Sequence, residues 1–160
     1  MKDSGWRRAS GALIEYEDIL KWIDDYIKLG GSVFIGTDSQ IQKKGCTFAT
    51  AICLHGARNK SAYYFFRKFK EPFRDYRQLN ARITCEVQHS VDIATVLCEM
   101  YPKANIEVHV DIGRSQRSAT RNMVDAVKGW VGGIGLECKV KPNAWASSGV
   151  ADAHTKNPLK

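Results

Sequence analysis

Three segments rich in β-branched and aromatic residues follow one another with only short linkers between them. The segments are SVFIGTDSQ (32–40), GCTFATAICLH (45–55) and SAYYFFRKFK (61–70). The linkers, IQKKG and GARNK, carry the glycine and polar residues that are typical of turns. Strands joined by such short turns pair most simply as an antiparallel meander. The meander constrains the fold more than any other feature, because the elements on either side have to be arranged around it.

Helical periodicity marks the segments on either side of the meander. Residues 14–30 place apolar side chains at helical spacing and end in a Gly-Gly pair, which predicts an extra N-terminal helix. Residues 79–101 form a longer pattern with one apolar stripe, and residues 119–135 form another that closes at glycines. Residues 1–10 show no such pattern and are interpreted as a loose polar lead.

Two further strand-like segments separate the last three helices. Residues 104–113 and 136–142 alternate apolar and polar side chains, as strands with one buried face do. The segment 147–156 is helix-like, with Ser147 or Ser148 as the candidate N-cap. The order is therefore α, βββ, α, β, α, β, α. It predicts a mixed α/β fold: a five-stranded sheet in which three antiparallel strands are followed by β-α-β crossovers, with helices on its faces.

The composition is that of an ordinary globular protein with an excess of positive charge. The length of 160 residues predicts one domain spanning the whole chain. The net charge of +7 favours a polyanionic partner such as nucleic acid, although a solvated basic surface accounts for it as well. No apolar stretch is long enough for a membrane span, and no signal peptide is expected. The five cysteines form no C-x-x-C pair, so we expect free thiols and a cytoplasmic location.

Four acidic residues stand where solubility alone does not explain them. Asp38 follows the apolar run of the first strand, Glu86 lies beside the apolar stripe of the long helix, Asp111 ends the fourth strand, and Asp152 lies in the last helix. If the first and fourth strands are adjacent and parallel, Asp38 and Asp111 project from neighbouring strands. Clustered carboxylates repel one another unless cations neutralise them, and hard oxygen ligands suit Mg²⁺ or Mn²⁺. Taken singly, Asp38 is explained as well by a hydrogen-bonded turn, and Glu86 by a solvated helix position.

The motifs GTDSQ, HVDIG and KVKPNAWASSGVADAHTK, with the helix between them, resemble the YkuK-type family of ribonuclease H-like proteins. The resemblance covers roughly residues 15–157. It implies a ribonuclease H-like fold, related to RuvC- and YqgF-type proteins, in which Asp38, Glu86, Asp111 and Asp152 hold two Mg²⁺ or Mn²⁺ ions. The implied activity is two-metal hydrolysis of phosphodiester bonds in nucleic acid. The alternatives are a nucleic-acid-binding module that does not cut, and a protein-assembly module on the same fold.

Arginines that follow Asp111 are the preferred phosphate contacts. Arg114, Arg117 and Arg121 lie in the loop after the fourth strand and at the start of the next helix, beside the expected site. Their guanidinium groups are suited to bind phosphate oxygens.

Histidines near the acids have weaker claims to a role. His109 lies two residues before Asp111 on the same strand face and could orient the substrate or the carboxylate, although a packed histidine is the simpler interpretation. His154 is two residues from Asp152, which places the two on different sides of a helix. A role for His154 as metal ligand or proton shuttle is therefore disfavoured, and we interpret it as a surface residue or, with Lys156, as a residue that supports the site without contacting substrate.

Overall fold

A computed structural model describes residues 2–115 and 117–156 of the chain. Within these residues, six strands form one sheet in the order β1-β4-β3-β2-β5-β6. The strands are β1 (Lys2–Arg8), β2 (Ser32–Gln42), β3 (Gly45–His55), β4 (Tyr63–Glu71), β5 (Ile106–His109) and β6 (Glu137–Lys139). The helices are α1 (Tyr16–Lys28), α2 (Leu79–Met100), α3 (Val124–Gly133) and α4 (Asp152–Thr155), with 3₁₀ turns at Phe73–Asp75 and Arg121–Met123 and a π-helical segment at Ala146–Ala151. None of the described helices is both long and apolar enough to cross a bilayer.

The centre of the sheet is the antiparallel meander β2-β3-β4. Strands β2 and β3 pair over their whole length, from Ser32 opposite His55 to Gln42 opposite Gly45. Strand β4 continues the antiparallel arrangement on the other side of β3. Beyond β2, strand β5 pairs in parallel with β2, and β6 pairs in parallel with β5. The prediction of a mixed α/β fold, with a meander followed by β-α-β crossovers, is therefore confirmed.

Residues 2–8 form a sixth strand, so the prediction of a loose lead there and of five strands was wrong; Met1 lies outside the described residues. Strand β1 pairs antiparallel with β4. Trp6 stacks on Tyr16 with ring centroids 5.9 Å apart, and Arg67 forms an ion pair with Asp3. The polar sequence hides this strand because an edge strand needs only backbone partners and a few side-chain contacts, and no alternation of apolar residues.

One face of the sheet carries the main hydrophobic core, formed with helices α1, α2 and α3. The predicted apolar stripe of α2 is buried at Ile83, Val87, Val91 and Ala94, and half-buried at Cys98. Full burial of an aliphatic side chain of this size contributes roughly 1.5–3 kcal/mol. The stripe therefore holds α2 firmly against the sheet and determines where its polar residues emerge.

The opposite face is covered by the C-terminal helical segment. Gly36 lies beneath it: a Cβ on Gly36 would stand 2.4 Å from the backbone nitrogen of Ser147. Only a glycine permits so close an approach of the two backbones. The predicted N-cap at Ser147 or Ser148 was wrong, because both hydroxyls donate hydrogen bonds to the carbonyl of Ala144, at 3.0 and 2.8 Å. The helical segment starts at Ala146 with no side-chain cap.

Candidate active site

Parallel pairing of β2 and β5 brings two of the predicted acids to the same level. The last residue pair between these strands is Gly36 with His109. Asp38 and Asp111 each lie two residues further along, just past the point where the parallel pairing of β2 and β5 ends. Beyond this pair, β2 continues beside β3, whereas the backbone after β5 stays with β6: the Val110 N–H donates to the Lys139 carbonyl at 2.9 Å. The two strands diverge here, at the place where open α/β sheets bind ligands.

A cleft of about 840 Å³ opens at this divergence. Asp38, Glu86 and Asp111 all line it, so three of the four predicted acids share one cavity. Asp152 is not among the lining residues and reaches the site only through its contact with Asp38.

Asp38 is the central member of the group. Its side chain lies on the face covered by the C-terminal segment, where it is only 7% exposed and the Thr155 hydroxyl donates a hydrogen bond to Oδ2 at 3.2 Å. Burial raises the pKa of Asp38 to about 7, helped by the negative charge of Asp111 and by a hydrogen bond with the Asp152 carboxyl group. A hydrogen bond between two carboxyl groups requires a proton on one of them. The geometry therefore favours a protonated Asp38 near neutral pH when no cation is bound.

Glu86 approaches from the other face of the sheet, on α2. The residue is 4% exposed, and the Ser39 hydroxyl donates a hydrogen bond to Oε1 at 2.5 Å. One turn further along the helix, the hydroxyls of Ser90 and Thr37 lie 2.8 Å apart and fasten α2 to β2. Burial raises the pKa of Glu86 well above its usual range; the Ser39 hydrogen bond opposes the shift, and the charges of Asp38 and Asp111 increase it. Glu86 is thus a buried acid held at the cleft, and the solvated-helix interpretation does not fit it.

The two more exposed acids are paired with lysines. Lys141 Nζ lies 3.1 Å from Asp111 Oδ1, and Lys156 Nζ lies 3.3 Å from Asp152 Oδ2. The Lys141 contact lacks hydrogen-bond geometry, since Asp111 Oδ1 has no hydrogen-bond partner. The four acids therefore differ in surroundings: burial raises the pKa of Asp38 and of Glu86, whereas Asp111 and Asp152 each lie beside a lysine.

The predicted phosphate contacts divide into two groups. Arg114 and Arg117 line the cleft, whereas Arg121 stands outside it on the exposed 3₁₀ turn before α3. Arg114 also bonds to Asp125, at 2.8 Å, through two exposed side chains. Only the first two arginines of the predicted three are placed to meet a ligand in the cleft.

The two histidines near the acids are packed away from the cleft. His109 is buried beside Phe34 and Trp145, and its Nδ1 accepts a hydrogen bond from the Ala146 N–H at 3.1 Å. Burial lowers the pKa of His109, so its neutral ring serves to hold the C-terminal segment on the sheet. This placement favours the packed-histidine interpretation.

His154 lies on the sheet side of the C-terminal segment, away from the carboxylates. Its ring stacks on Phe66 with centroids 3.7 Å apart, and its Nε2 is 3.0 Å from the Tyr64 hydroxyl. It anchors α4 to β4 and thereby supports the position of Asp152. Lys156 supports the same residue through the ion pair described above.

Two cations and two hydroxyls of the site were missed from the sequence. Arg82 and Lys141 line the cleft, and Ser39 and Thr155 hold the buried acids. Arg82 could have been found, because it lies four residues before Glu86 and so on the same helix face. Thr155 lies three residues after Asp152, which is also a same-face spacing. Lys141 gave no such signal, since its place depends on how β6 pairs with β5.

The acids lie close together but are not arranged as a complete set of metal ligands. Across residues 2–115 and 117–156, no group of three or more His, Cys, Asp or Glu side chains is arranged to hold a metal ion. Glu86 Oε2 and Asp111 Oδ1 are nevertheless buried without a hydrogen-bond partner. Buried carboxylate oxygens without donors are costly unless a cation or proton satisfies them. These oxygens are donors of the kind that a divalent ion such as Mg²⁺ or Mn²⁺ takes.

Comparisons with known proteins agree with this geometry. A family model described as "Ribonuclease H-like" matches residues 15–156. The chain is also similar to the "Uncharacterized protein YkuK" of Bacillus subtilis (strain 168): the two are 24% identical over 166 aligned positions, which cover 92% of this chain and 94% of that protein. No solved structure matches the chain.

Proposed function

The chain belongs to the ribonuclease H-like family, and on that premise we propose that it is a Mg²⁺- or Mn²⁺-dependent nuclease. Its substrate is nucleic acid, whose phosphodiester bonds it hydrolyses. The observation that carries the proposal is the meeting of Asp38, Glu86 and Asp111 in one cleft, just past the end of the parallel pairing of β2 and β5.

The donor set supports two hard cations. The ions would be held by Asp38, Glu86, Asp111 and Asp152. Asp38 would be the central ligand, because it contacts Asp152 and interacts electrostatically with Asp111 and Glu86. Carboxylate oxygens are the ligands that Mg²⁺ and Mn²⁺ prefer. When bound, such a pair of ions lowers the pKa of a water molecule and stabilises the leaving oxygen of a phosphodiester.

The residues around the acids orient the ligands and the substrate. Ser39 fixes one oxygen of Glu86, and Thr155 fixes one oxygen of Asp38, so both carboxyl groups are held in place beside the cleft. Arg82, Arg114 and Arg117 give the cleft a cationic wall that attracts a phosphate backbone and sets its direction. Lys141 neutralises Asp111 until a stronger cation replaces it.

A substrate panel tests the proposal. An RNA–DNA hybrid, duplex DNA, single strands and a four-way junction are incubated with Mg²⁺ or Mn²⁺ and resolved on denaturing gels. We expect cleavage of at least one, abolished by Asp38→Asn and by Asp111→Asn. Glu99→Gln and Asp25→Asn, which change exposed acids on α2 and α1, should cleave like wild type. Cleavage that survives in both site variants comes from a contaminant and contradicts the proposal.

A non-catalytic nucleic-acid-binding module is the second candidate. The Lys141–Asp111 ion pair favours it, because a lysine that stays in place neutralises the site without any metal ion. Thermal unfolding separates the two candidates. A nuclease site should make millimolar Mn²⁺ raise the melting temperature of wild type but not of Asp38→Asn, through binding linkage. A binding module should retain affinity for nucleic acid in EDTA and show no such shift.

A further inference from the structure

A second cavity, of about 390 Å³, opens between β1, β4 and α2. Its walls include Trp6, Tyr16 and Phe69, and its polar residues include Arg67, His89 and Asp92. We refer to these six residues as the aromatic pocket. Phe69 is buried at its floor, Trp6, Tyr16 and His89 are half-buried, and Asp92 is exposed at its rim. The pocket shares no lining residue with the carboxylate cleft.

Flat rings form much of the pocket surface. Trp6 and Tyr16 are stacked at an interplanar angle of 26°, which makes one continuous aromatic wall. The rings of Phe69 and His89 lie 4.2 Å apart at the floor. Surfaces of this kind accept another planar ring by stacking, whichever base that ring belongs to.

The polar groups of the pocket suit the edge of a planar heterocycle. Burial lowers the pKa of His89, so its neutral ring offers one N–H donor and one acceptor. Asp92 accepts a hydrogen bond from Gln88 at 2.6 Å through Oδ1, and its other oxygen adds an acceptor at the rim. Arg67 adds a half-exposed guanidinium, which the ion pair with Asp3 holds in place at the pocket.

Helix α2 connects this pocket to the cleft. Glu86 lines the cleft, and His89 and Asp92 follow it by three and six residues. At 1.5 Å of rise per residue, these side chains lie roughly 4.5 and 9 Å further along the helix axis. A strand whose backbone occupies the cleft can therefore place a neighbouring base beside the pocket.

We propose that the aromatic pocket receives one unpaired nucleobase of the nucleic-acid strand whose backbone lies in the carboxylate cleft. The inference rests on the proposed function, in that the same strand serves both sites. A cavity of about 390 Å³ is large enough to admit a single base, and a base inside a duplex must first leave its stack and its partner to enter it. An aromatic side chain of a protein partner would fit the same walls. The chain's charge of +7 and the cationic wall beside α2 favour the polyanion.

Binding measured without divalent ions tests the pocket separately from catalysis. Fluorescein-labelled single-stranded 12-mers and a blunt 20-base-pair duplex are titrated in EDTA and followed by fluorescence anisotropy. Ile93 also lines the cavity, so a larger side chain there should fill it. We expect Trp6→Leu and Ile93→Phe to weaken single-strand binding about tenfold, the loss of one base-stacking contact. Duplex binding should stay within about twofold. Trp145→Leu, which removes a tryptophan outside both cavities, is the matched control.

Photocrosslinking identifies the position directly and does not depend on the folding of a variant. Wild-type protein is irradiated with a single strand that carries 5-iodouracil, and the modified peptide is mapped by mass spectrometry. Crosslinks at Trp6, Tyr16 or Phe69 support the inference. Crosslinks only at Tyr76 or Trp145, with unchanged affinity of Trp6→Leu and Ile93→Phe, overturn it and leave the nuclease proposal standing. Wild type that binds no nucleic acid, in EDTA or with Mn²⁺, overturns both. Competitors are added before irradiation. If a phenylalanine-containing peptide suppresses the crosslink and an unlabelled strand does not, the pocket belongs to a protein partner and the inference is overturned.

Discussion

At the scale of single residues, Asp38 couples the stability of the fold to pH. Burial beside Asp111 and Asp152 raises its pKa from 3.8 to about 7, so the folded state holds the proton more tightly than the unfolded chain does. Stability conferred by such a group is present at low pH and is lost as pH rises through the folded pKa. The full shift corresponds to roughly 4 kcal/mol at about 1.36 kcal/mol per unit.

We therefore expect the metal-free protein to be less stable at pH 8 than at pH 5, by roughly 2.7 kcal/mol from Asp38, because only the part of the shift between pH 5 and the folded pKa of about 7 is lost in this interval. Urea unfolding in EDTA at several pH values measures this. Asp38→Asn should flatten the curve and be more stable than wild type at pH 8, because the amide carries no charge to bury. Asp25→Asn, at an exposed position of α1, should follow wild type. An Asp38→Asn protein with an unchanged pH profile would contradict the buried protonated acid.

Lys141 is the second residue whose role can be isolated. Its ammonium group lies 3.1 Å from Asp111 Oδ1, in a position that opposes the entry of another cation. We expect Lys141→Met to lower the melting temperature of the metal-free protein and to reduce the Mn²⁺ concentration at half-maximal thermal stabilisation about fivefold. A partly exposed ion pair is worth up to about 1 kcal/mol, which corresponds to that factor.

Lys139→Met is the matched control for Lys141→Met. Lys139 lies two residues earlier, pairs with Glu137 and is not among the residues that line the cleft. It should leave the Mn²⁺ response unchanged. A weaker Mn²⁺ response in Lys141→Met would mean that the lysine holds Asp111 in place for the ion and does not compete with it.

At the scale of elements, the contact between Gly36 and the C-terminal segment positions half of the site. Gly36→Ala would place a Cβ 2.4 Å from the Ser147 nitrogen, so the segment that carries Asp152 and Thr155 has to move. We expect a loss of about 1–3 kcal/mol in the free energy of unfolding, as for other overpacked sites. We also expect a reduced Mn²⁺-dependent rise in melting temperature, measured beside urea unfolding.

Gly129→Ala controls for the chemical change itself. Gly129 lies inside α3, and a Cβ there meets no atom within 4 Å. The substitution should stabilise the protein by up to about 1 kcal/mol, because alanine is the better helix former. A Gly36→Ala protein that is as stable as wild type and responds fully to Mn²⁺ would show that the segment adapts without cost.

The elements also explain which parts of the molecule could be predicted. The meander and α2 were predictable from the spacing of their apolar residues. In the strands and in the helix, this spacing indicates which side faces the core. Strand β1 was not, since its pairing with β4 leaves no periodic trace in KDSGWRR. The meeting of Asp38 and Asp111 depends on β5 pairing in parallel with β2, which the order of elements suggested and the family resemblance reinforced. The position of Lys141 could be predicted from neither the order of elements nor the resemblance, because no local sequence pattern indicates which residue of another strand lies beside it.

At the scale of the whole molecule, four basic side chains lie where a phosphate backbone would pass the acids. Arg82, Arg114, Arg117 and Lys141 all line the carboxylate cleft. A strand bound there releases counterions in proportion to the phosphates that these side chains neutralise. The slope of affinity against salt concentration therefore measures the number of phosphate contacts, and it does so whether or not the protein cleaves the strand.

For a single strand bound in EDTA, each phosphate contact contributes about −0.7 to the slope of log affinity against log salt concentration, so four contacts give about −3. We expect anisotropy titrations between low and moderate salt to give a slope near that value for wild type. Arg117→Gln should reduce its magnitude by about 0.7, because Arg117 lines the cleft. Arg121→Gln should leave the slope unchanged, because Arg121 lies outside the cleft, although both substitutions remove one unit of the same net charge. Equal changes in the two variants would mean that the strand is held by diffuse surface charge and not by the cleft. That result would contradict the proposal that the basic side chains of the cleft bind the strand beside the carboxylates.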